Sequence, residues 1–202
     1  MPTPTEPTLS AAALILAAGA SSRMGPRRNK MLLDVDGEPM IRRIGRRAIA
    51  AGLTQVVVVL GHEAARVRDA LGGLECTFVE NPDFTGPTSG SLHAGLRALD
   101  PTVDAAVVML GDMVHVTEAM VRSLVASARG SEAPLVVSRY GDVLAPPLLF
   151  RRPLWPELLA WTGDGCGKAV VMAHRQEALM LDWPRTALLD VDTPADYETL
   201  TR

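Results

Sequence analysis

The sequence predicts an α/β protein of three layers, a mostly parallel sheet with helices on both faces. Three observations carry this. Residues 11–18, 55–60 and 105–110 are near-continuous apolar runs, as strands buried on both faces are. Between such runs lie segments whose apolar residues recur three and four apart, such as Ala64, Val67 and Leu71, or Met120, Val121, Leu124 and Val125; that is the spacing of helices packed on one side. Each of the three runs is followed by a glycine, Gly19, Gly61 or Gly111, which lets a strand turn sharply into the next segment.

Taken in order, residues 1–10 are rich in Pro and Thr and are expected to be a disordered arm, with residues 11–202 forming one domain. The arm lacks the basic start and apolar centre of a signal peptide. After the first strand, residues 19–30 form a loop of Gly, Ser, Pro and cations. Residues 31–37 are a short extended piece with a turn at Asp36-Gly37. Pro39 suits a helix start, where its missing N–H costs nothing, and Gly52 ends that helix. A second strand spans 55–60, a helix follows Gly61-His62, and a third strand covers 75–79. Residues 81–91 read as a turn-rich loop, with a short helix over 92–99. Strand 105–110 leads into Gly111-Asp112. Thr117 caps the next helix, and 134–138 is a further strand. Beyond Tyr140 four prolines, Pro146, Pro147, Pro153 and Pro156, and the glycines of 163–167 suggest an insertion lying over the site, built of loops, an edge strand and short helices. A strand near Leu188 and a helix over 195–201 close the chain.

Composition narrows the function. The chain has 202 residues, 48% hydrophobic and 21% charged, with aromatics at 4%, so it is globular with an aliphatic core. A net charge of −3, from 20 cations and 23 acids, argues against a nucleic-acid binder. The two cysteines, Cys76 and Cys166, form no CxxC pair, which argues against zinc or a redox motif; a cytoplasmic location with reduced thiols is expected. No apolar run is long enough to span a membrane. Charge is unevenly placed. Arg23, Arg27, Arg28, Lys30, Arg42, Arg43, Arg46 and Arg47 cluster early, and Asp182, Asp190, Asp192, Asp196 and Glu198 cluster late. The two clusters are expected to meet in one cleft, with Arg42, Arg43, Arg46 and Arg47 left as a solvated helix face.

The loop after the first strand is a candidate polyphosphate site. Free N–H groups in a Gly-framed turn accept anions, and Arg23 and Lys30 add charge and directed donors. No Gly-Lys-Ser/Thr closes it, so it is not a Walker loop. Asp112 follows a buried strand through one Gly and should project at the ligand end of the sheet. As a hard oxygen donor beside phosphates it suits Mg²⁺. Asp190 and Asp192 alternate in a strand end, on one face and ~7 Å apart. Asn81, Ser89 and Ser91, in the loop 81–91, carry groups suited to base and ribose or to helix capping. His62, His93, His115 and His174 form no metal-spaced pair and are read as non-catalytic.

Residues 16–30 resemble the signature of the MobA-like NTP transferase family, at Leu16, Ala17, Ala18, Gly19, Ser21 or Ser22, Arg23, Met24, Gly25 and Lys30. Gly111-Asp112-Met113 and Asp190-Val191-Asp192-Thr193-Pro194 resemble two further motifs of that family. The resemblance implies a Rossmann-like, GT-A-like nucleotidyltransferase fold. It also implies an Mg²⁺-dependent enzyme that moves a nucleoside monophosphate from an NTP to a phosphorylated acceptor and releases pyrophosphate. Arg23, Lys30 and Asp112 would be catalytic and Asp112 and Asp192 metal ligands, with Asp190 structural or an alternative ligand. Leu16, Ala17, Ala18, Gly19, Ser22, Arg23, Gly25, Lys30, Asn81, Ser89 and Ser91 would bind nucleotide.

Residues 86–90 are similar to the guanylyl branch of the family and 89–96 to the cytidylyl branch. Ala18 stands where the guanylyl branch usually has a second Gly, which favours CTP. The nearest resemblance is therefore to the molybdenum cofactor cytidylyltransferases, with molybdopterin as acceptor and a transient contact with a cofactor-receiving enzyme. The chain departs from that branch at 144–150, at 163–168, where Lys168 stands for Arg, and at Val114-His115, all on the expected acceptor side. A different acceptor, such as a sugar phosphate or phospho-acid, and a nucleotide-binding module without turnover are the rival readings. Asp112→Asn is expected to slow turnover while leaving thermal stability almost unchanged, because it removes one of two facing like charges.

Overall fold

A computed structural model describes residues 9–25, 28–165, 167–189 and 191–200. In chain order the strands are β1 (Ala11–Leu16), β2 (Asp34–Val35), β3 (Glu38–Pro39), β4 (Gln55–Leu60), β5 (Thr77–Glu80), β6 (Ala105–Leu110), β7 (Leu135–Tyr140), β8 (Val143–Arg151) and β9 (Leu179–Trp183). The helices are α1 (Met40–Ala50), α2 (Ala64–Ala70), α3 (Thr88–Arg97), α4 (Glu118–Arg129), α5 (Trp155–Ala160), α6 (Lys168–Ala173) and α7 (Pro194–Leu200). Seven strands form one sheet in the order β5-β4-β1-β6-β8-β7-β9, and β2 with β3 makes a small separate ribbon. Every pairing in the large sheet is parallel except those of β8, which runs against both β6 and β7.

The alternation of side chains explains the layers. Ala11, Ala13 and Ile15 of β1 join a core with Ile41 and Ile44 of α1, Val67 of α2 and Val121 and Leu124 of α4. Ala12, Leu14 and Leu16 face the other way, onto Leu92 and Leu96 of α3, Leu158 of α5 and Val170 of α6. The period of two along a strand and of 3.6 along a helix fit both sides. On the second face α3 lies so close to β1 that a Cβ at Gly95 would come 2.1 Å from Leu14; only Gly fits there.

The order of connections places the site. From β1 the chain moves outward through β4 to β5, then crosses back to β6 on the other side of β1. The crevice beyond the carboxyl ends of β1 and β6 is thus a topological switch point, where open α/β sheets bind ligands. The Gly111 N–H donates to the Leu16 carbonyl at 3.1 Å, which closes the two strand ends on each other.

Several expectations are corrected. Residues 1–8 lie outside the described residues, but Leu9 and Ser10 are not part of an arm. Leu9 is buried in the core, and the Ser10 carbonyl accepts from the Asp104 and Ala105 N–H groups. Helix α3 starts at Thr88, four residues before the expected Leu92, because Pro87 supplies the preset turn at its N-cap. The segment after Tyr140 is not an insertion with an edge strand. β8 is a nine-residue interior strand whose Leu148, Leu149 and Phe150 fill the core. Its pairing with β6 begins at Leu148, beyond Pro146 and Pro147. The β7 register shifts opposite those prolines, between Val137 and Arg139, so a missing N–H breaks no regular ladder. The last strand is β9, at 179–183, and the residues near Leu188 form a 3₁₀ turn (Arg185–Leu188). α7 begins at Pro194; Thr201 of the expected 195–201 helix lies outside the described residues.

The α1 arginines are not a plain solvated face. Arg42 donates to the carbonyls of Ala70 and Gly72, Arg43 to that of Val35, and Arg47 to those of Val114 and Val116. Only Arg46, paired with Glu38, is largely exposed. Long cationic stems here cover apolar surface while their heads satisfy loop carbonyls.

Candidate active site

The loop after β1 is set by a few local bonds. Ser21 adopts a left-handed conformation, with φ 54°, and its Oγ accepts from the Lys30 N–H at 3.1 Å, joining the start of the loop to its end. The buried Asn29 holds the other side. Its Oδ1 accepts from the Met31 N–H at 3.0 Å, and its Nδ2 donates to the His62 carbonyl at 3.2 Å. Met24 is buried beneath the loop. Pro26 and Arg27 lie outside the described residues. Lys30 is therefore presented from a pinned backbone, whereas Arg23 is 69% exposed.

Asp112 is aimed by close packing. A Cβ at Gly111 would meet the Met31 sulfur at 2.6 Å and Ile41 at 3.0 Å, so glycine lets β6 end against the loop that carries Lys30. Arg47 fixes the segment after Asp112, through the carbonyls of Val114 and Val116. Burial, with Arg43 and Arg46 nearby, lowers the Arg47 pKa from its ordinary value.

Asp192 arrives from the far end of the chain. Val191 is fully buried against Val35, Met40 and Val114. Asp196 accepts from the N–H groups of Asp192 and Thr193 and from the Thr193 hydroxyl. Tyr197 donates to the Asp34 carbonyl at 2.7 Å, tying α7 to the ribbon. Asp190 lies outside the described residues.

These three pieces converge on Lys30. Its ammonium bonds Asp112 Oδ2 and, at 2.8 Å, Asp192 Oδ1. Arg23 reaches Asp192 Oδ2 at 3.0 Å. Burial works against the Lys30 charge, but attraction and hydrogen bonds from Asp112, then from Asp192, outweigh it and raise its pKa above the ordinary lysine value. The early cationic loop and the late acidic segment thus meet, as charge placement predicts.

Beside this cluster is a cleft of about 210 Å³, whose lining includes Leu16, Ala18, Gly19, Lys30, Ser91 and Asp112. Ala17 points to the opposite core. Ser22, Arg23 and Gly25 belong to the loop outside that lining. Asn81 and Ser89 are committed elsewhere. Asn81 donates to Ser91 Oγ at 3.0 Å and accepts from the Asp83 N–H. Ser89 Oγ accepts from the Gly163 N–H at 3.1 Å. They shape the cleft wall by joining its loops. Thr88, expected in the turn 88–91 as a base and ribose contact, does line the cleft, whereas Asn29, Arg47 and Phe84 were not anticipated. Asn29 alone had a visible signal, as a side-chain cap immediately before Lys30.

The histidines stand outside the cleft lining. His62 lies against the Phe84 ring, His93 bonds the Leu158 carbonyl, and His174 bonds Glu157 and Glu177. Burial, with Arg47 and Arg43, lowers the His115 pKa. Cys76 is a free, half-buried thiol whose pKa burial raises; Cys166 lies outside the described residues. No helix among the described residues is long and apolar enough to cross a membrane.

A Gly-framed cationic loop and two carboxylates at the switch point of a parallel sheet define a nucleotide-handling α/β site. Residues 13–178 match the MobA-like NTP transferase domain, and the chain belongs to that family, among the nucleotidyltransferases. The bifunctional protein GlmU of Cupriavidus necator is 37% identical over 118 residues, 57% of this chain and 25% of that protein. The chain thus spans about a quarter of the length of this curated relative. Rv0371c of Mycobacterium tuberculosis H37Rv superposes with a TM-score of 0.85 at 28% identity, over 96% of this chain and 98% of that one. A complex of that protein with manganese superposes at 0.78 with 29% identity, over 95% and 98%.

Proposed function

We propose that this protein transfers CMP from CTP to a phosphorylated acceptor of the molybdopterin class and releases pyrophosphate. The observation that carries the reading is the Asp112–Lys30–Asp192 cluster at the mouth of a cleft lined by the Gly-framed loop. Its donor chemistry fits a divalent cation. Two hard carboxylates already share one cation, the Lys30 ammonium. Among the described residues no group of three or more His, Cys, Asp and Glu gathers as a metal site. Two carboxylates, with phosphate and water supplying the rest, suit Mg²⁺. The manganese held by the Mycobacterium tuberculosis neighbour supports this.

No protein nucleophile is required. An acceptor phosphate oxygen bonds to the α-phosphorus as the α–β bridging P–O bond breaks, and pyrophosphate leaves with that electron pair. Arg23 and Lys30 orient the triphosphate and stabilise charge on the leaving group. Asp112 and Asp192 would hold Mg²⁺, which when bound neutralises phosphate charge. For Lys30 to reach phosphate it must exchange at least one of its carboxylate bonds.

The choice of CTP rests on Ala18, a small apolar wall residue of the cleft. Titration with CTP and GTP under Mg²⁺ is expected to give the tighter Kd for CTP. Equal or tighter GTP binding would reverse the base assignment and leave nucleotidyl transfer standing.

A further inference from the structure

The two edges of the large sheet are finished differently. At one edge β5 is four residues long, its Glu80 carboxylate is held by Arg68 at 2.7 Å, and the same guanidinium lies 5.6 Å from the centre of the Phe78 ring. A short edge strand that carries charge resists pairing with another chain. At the other edge β9 reads Leu-Met-Leu-Asp-Trp, with no Lys, Pro or Gly to guard it. Its single charge, Asp182, is paired sideways with Arg139 of β7, whose Nη2 donates at 2.8 Å. Leu179, Leu181 and Trp183 pack toward one core and Met180 toward the other, yet all four are only partly buried. Apart from the parallel ladder with β7, no hydrogen bond among the described residues reaches the main chain of 179–183. The outward N–H and C=O groups of β9 are therefore a template for a further strand.

The flanks of β9 indicate which strand. Arg185, exposed just past the strand, has no ion pair or side-chain hydrogen bond among the described residues. Glu177, just before the strand, gives one carboxylate oxygen to His174 at 3.1 Å; its other oxygen has no partner among the described residues. A twofold contact sets a strand antiparallel to its own copy. With the axis beside Leu181, Leu179 of each copy lies opposite Trp183 of the other, on one face, and Glu177 of each lies opposite Arg185 of the other. Cross-strand pairs of both kinds stabilise a sheet. The neighbouring registers are poorer. Centring on Asp182 sets two carboxylates face to face, and centring on Met180 sets Arg175 against Arg185. Like charges directly opposite are destabilising.

We infer that β9 is an interaction edge for a second copy of this chain, the two β9 strands pairing antiparallel about Leu181 and joining two seven-stranded sheets into one. The contact stands apart from the proposed chemistry. No β9 residue lines the nucleotide cleft, nor the mostly aliphatic second cavity of about 500 Å³ between β8 and α6, which shares Leu110 with the cleft and carries Lys168 and Arg175. One strand pair is a small interface, so the dimer should form with a Kd on the order of micromolar.

The test is sedimentation velocity of the full chain over about two decades of concentration around that Kd. The wild type is expected to pass from monomer to dimer. Arg185→Glu sets like charges opposite each other twice and should weaken the dimer about tenfold. Adding Glu177→Arg to that chain reverses both pairs and should restore the dimer. Leu181→Lys, with two ammonium groups at the axis, should abolish it. Arg185 is exposed, so its variant should keep the fold, and a melting curve taken below the wild-type Kd checks this. A wild type that stays monomeric throughout, or a dimer that Arg185→Glu leaves as tight as before, would overturn the inference. Failure of the double variant to regain the dimer would do the same, because a charge pair survives exchange of its two members.

Discussion

The two cavities that meet at Leu110 are built on opposite principles. Around the first, charges are numerous and already paired: Lys30 with Asp112 and Asp192, and Arg23 with Asp192. Around the second, charges are few, Lys168 and Arg175 have no ion-pair partner among the described residues, and the wall is aliphatic. On the proposed reading, the difference reflects the task of each. A triphosphate and its cation bring about as much charge as they meet, so the site must keep that charge satisfied when empty, or desolvation would destabilise the fold. An apolar wall carries no such cost, and its selectivity comes from what it fails to offer a polar ligand. One cavity is specified by exchange of partners, the other by their scarcity.

The largest expected effect breaks the paired side. Asp112→Asn should lower turnover on the order of 100-fold, the loss typical of one oriented electrostatic group. The structure changes the expectation for stability. Asp112 and Asp192 do not face each other as bare like charges; Lys30 lies between them. Removing the Asp112 charge leaves a largely buried ammonium with Asp192 alone. Stability should fall by about 1–3 kcal/mol, below the 3–5 kcal/mol for a buried ion left with no partner. Turnover against Mg²⁺ concentration and denaturant melts on one preparation check both. Normal turnover with a large loss of stability would make the cluster purely structural.

A smaller effect sharpens the idea of exchange. If Lys30 and a divalent cation share the same two carboxylates, Lys30→Met should separate the two ligands. The triphosphate should bind more weakly by about 1.5–3 kcal/mol, the worth of a charge-assisted bond. Mn²⁺ titrated without nucleotide and followed by electron paramagnetic resonance should bind more tightly than to the wild type, because the competing ammonium is gone. Weaker Mn²⁺ binding in the variant would mean that Lys30 organises the carboxylates instead of competing for them.

What was legible in the sequence divides between local and long-range features. The nucleotide side was readable because its parts are local. A buried run and a glycine place Asp112 just past the end of β6, Lys30 closes the Gly-framed loop that follows β1, and the mostly parallel sheet with its helices follows from periodicity. The meeting of Asp192 with Lys30 was foreseeable from charge alone, but its geometry depends on Val191 burying against Val35 and Met40, a contact across most of the chain. Other parts were misread where local rules lost to tertiary context. Prolines argue against an interior strand, yet β8 places Pro146 and Pro147 just outside its pairing with β6. The α1 arginines have the spacing of a solvent face, but their targets are loop carbonyls that no periodicity marks.

The smallest expected effect concerns how α6, which carries Lys168, Val171 and Met172, is anchored. His174 comes directly after α6. Its Nε2 lies 2.9 Å from Glu157 of α5, and its Nδ1 lies 3.1 Å from Glu177 in the next turn. The Glu157 hydrogen bond, then that of Glu177, raises the His174 pKa above the usual 6.5. Protonated, the ring donates at both nitrogens and joins two carboxylates; neutral, it donates at one only. A group whose folded pKa is raised binds its proton more tightly in the folded state. Its stabilising contribution is therefore fully present below the unfolded value near 6.5 and is lost as pH rises through the folded value. Both glutamates are half-exposed or more, so screening keeps the contribution small. Melting temperature followed from pH 5.5 to 8.5 should fall slightly more steeply above the unfolded pKa in the wild type than in His174→Gln. The CTP Kd should hold steady over the same window, since among the described residues no hydrogen bond or ion pair joins the nucleotide loop to this clamp. If the wild type and His174→Gln give superimposable pH profiles, the histidine contributes nothing to anchoring α6, and that helix is held by its apolar packing alone.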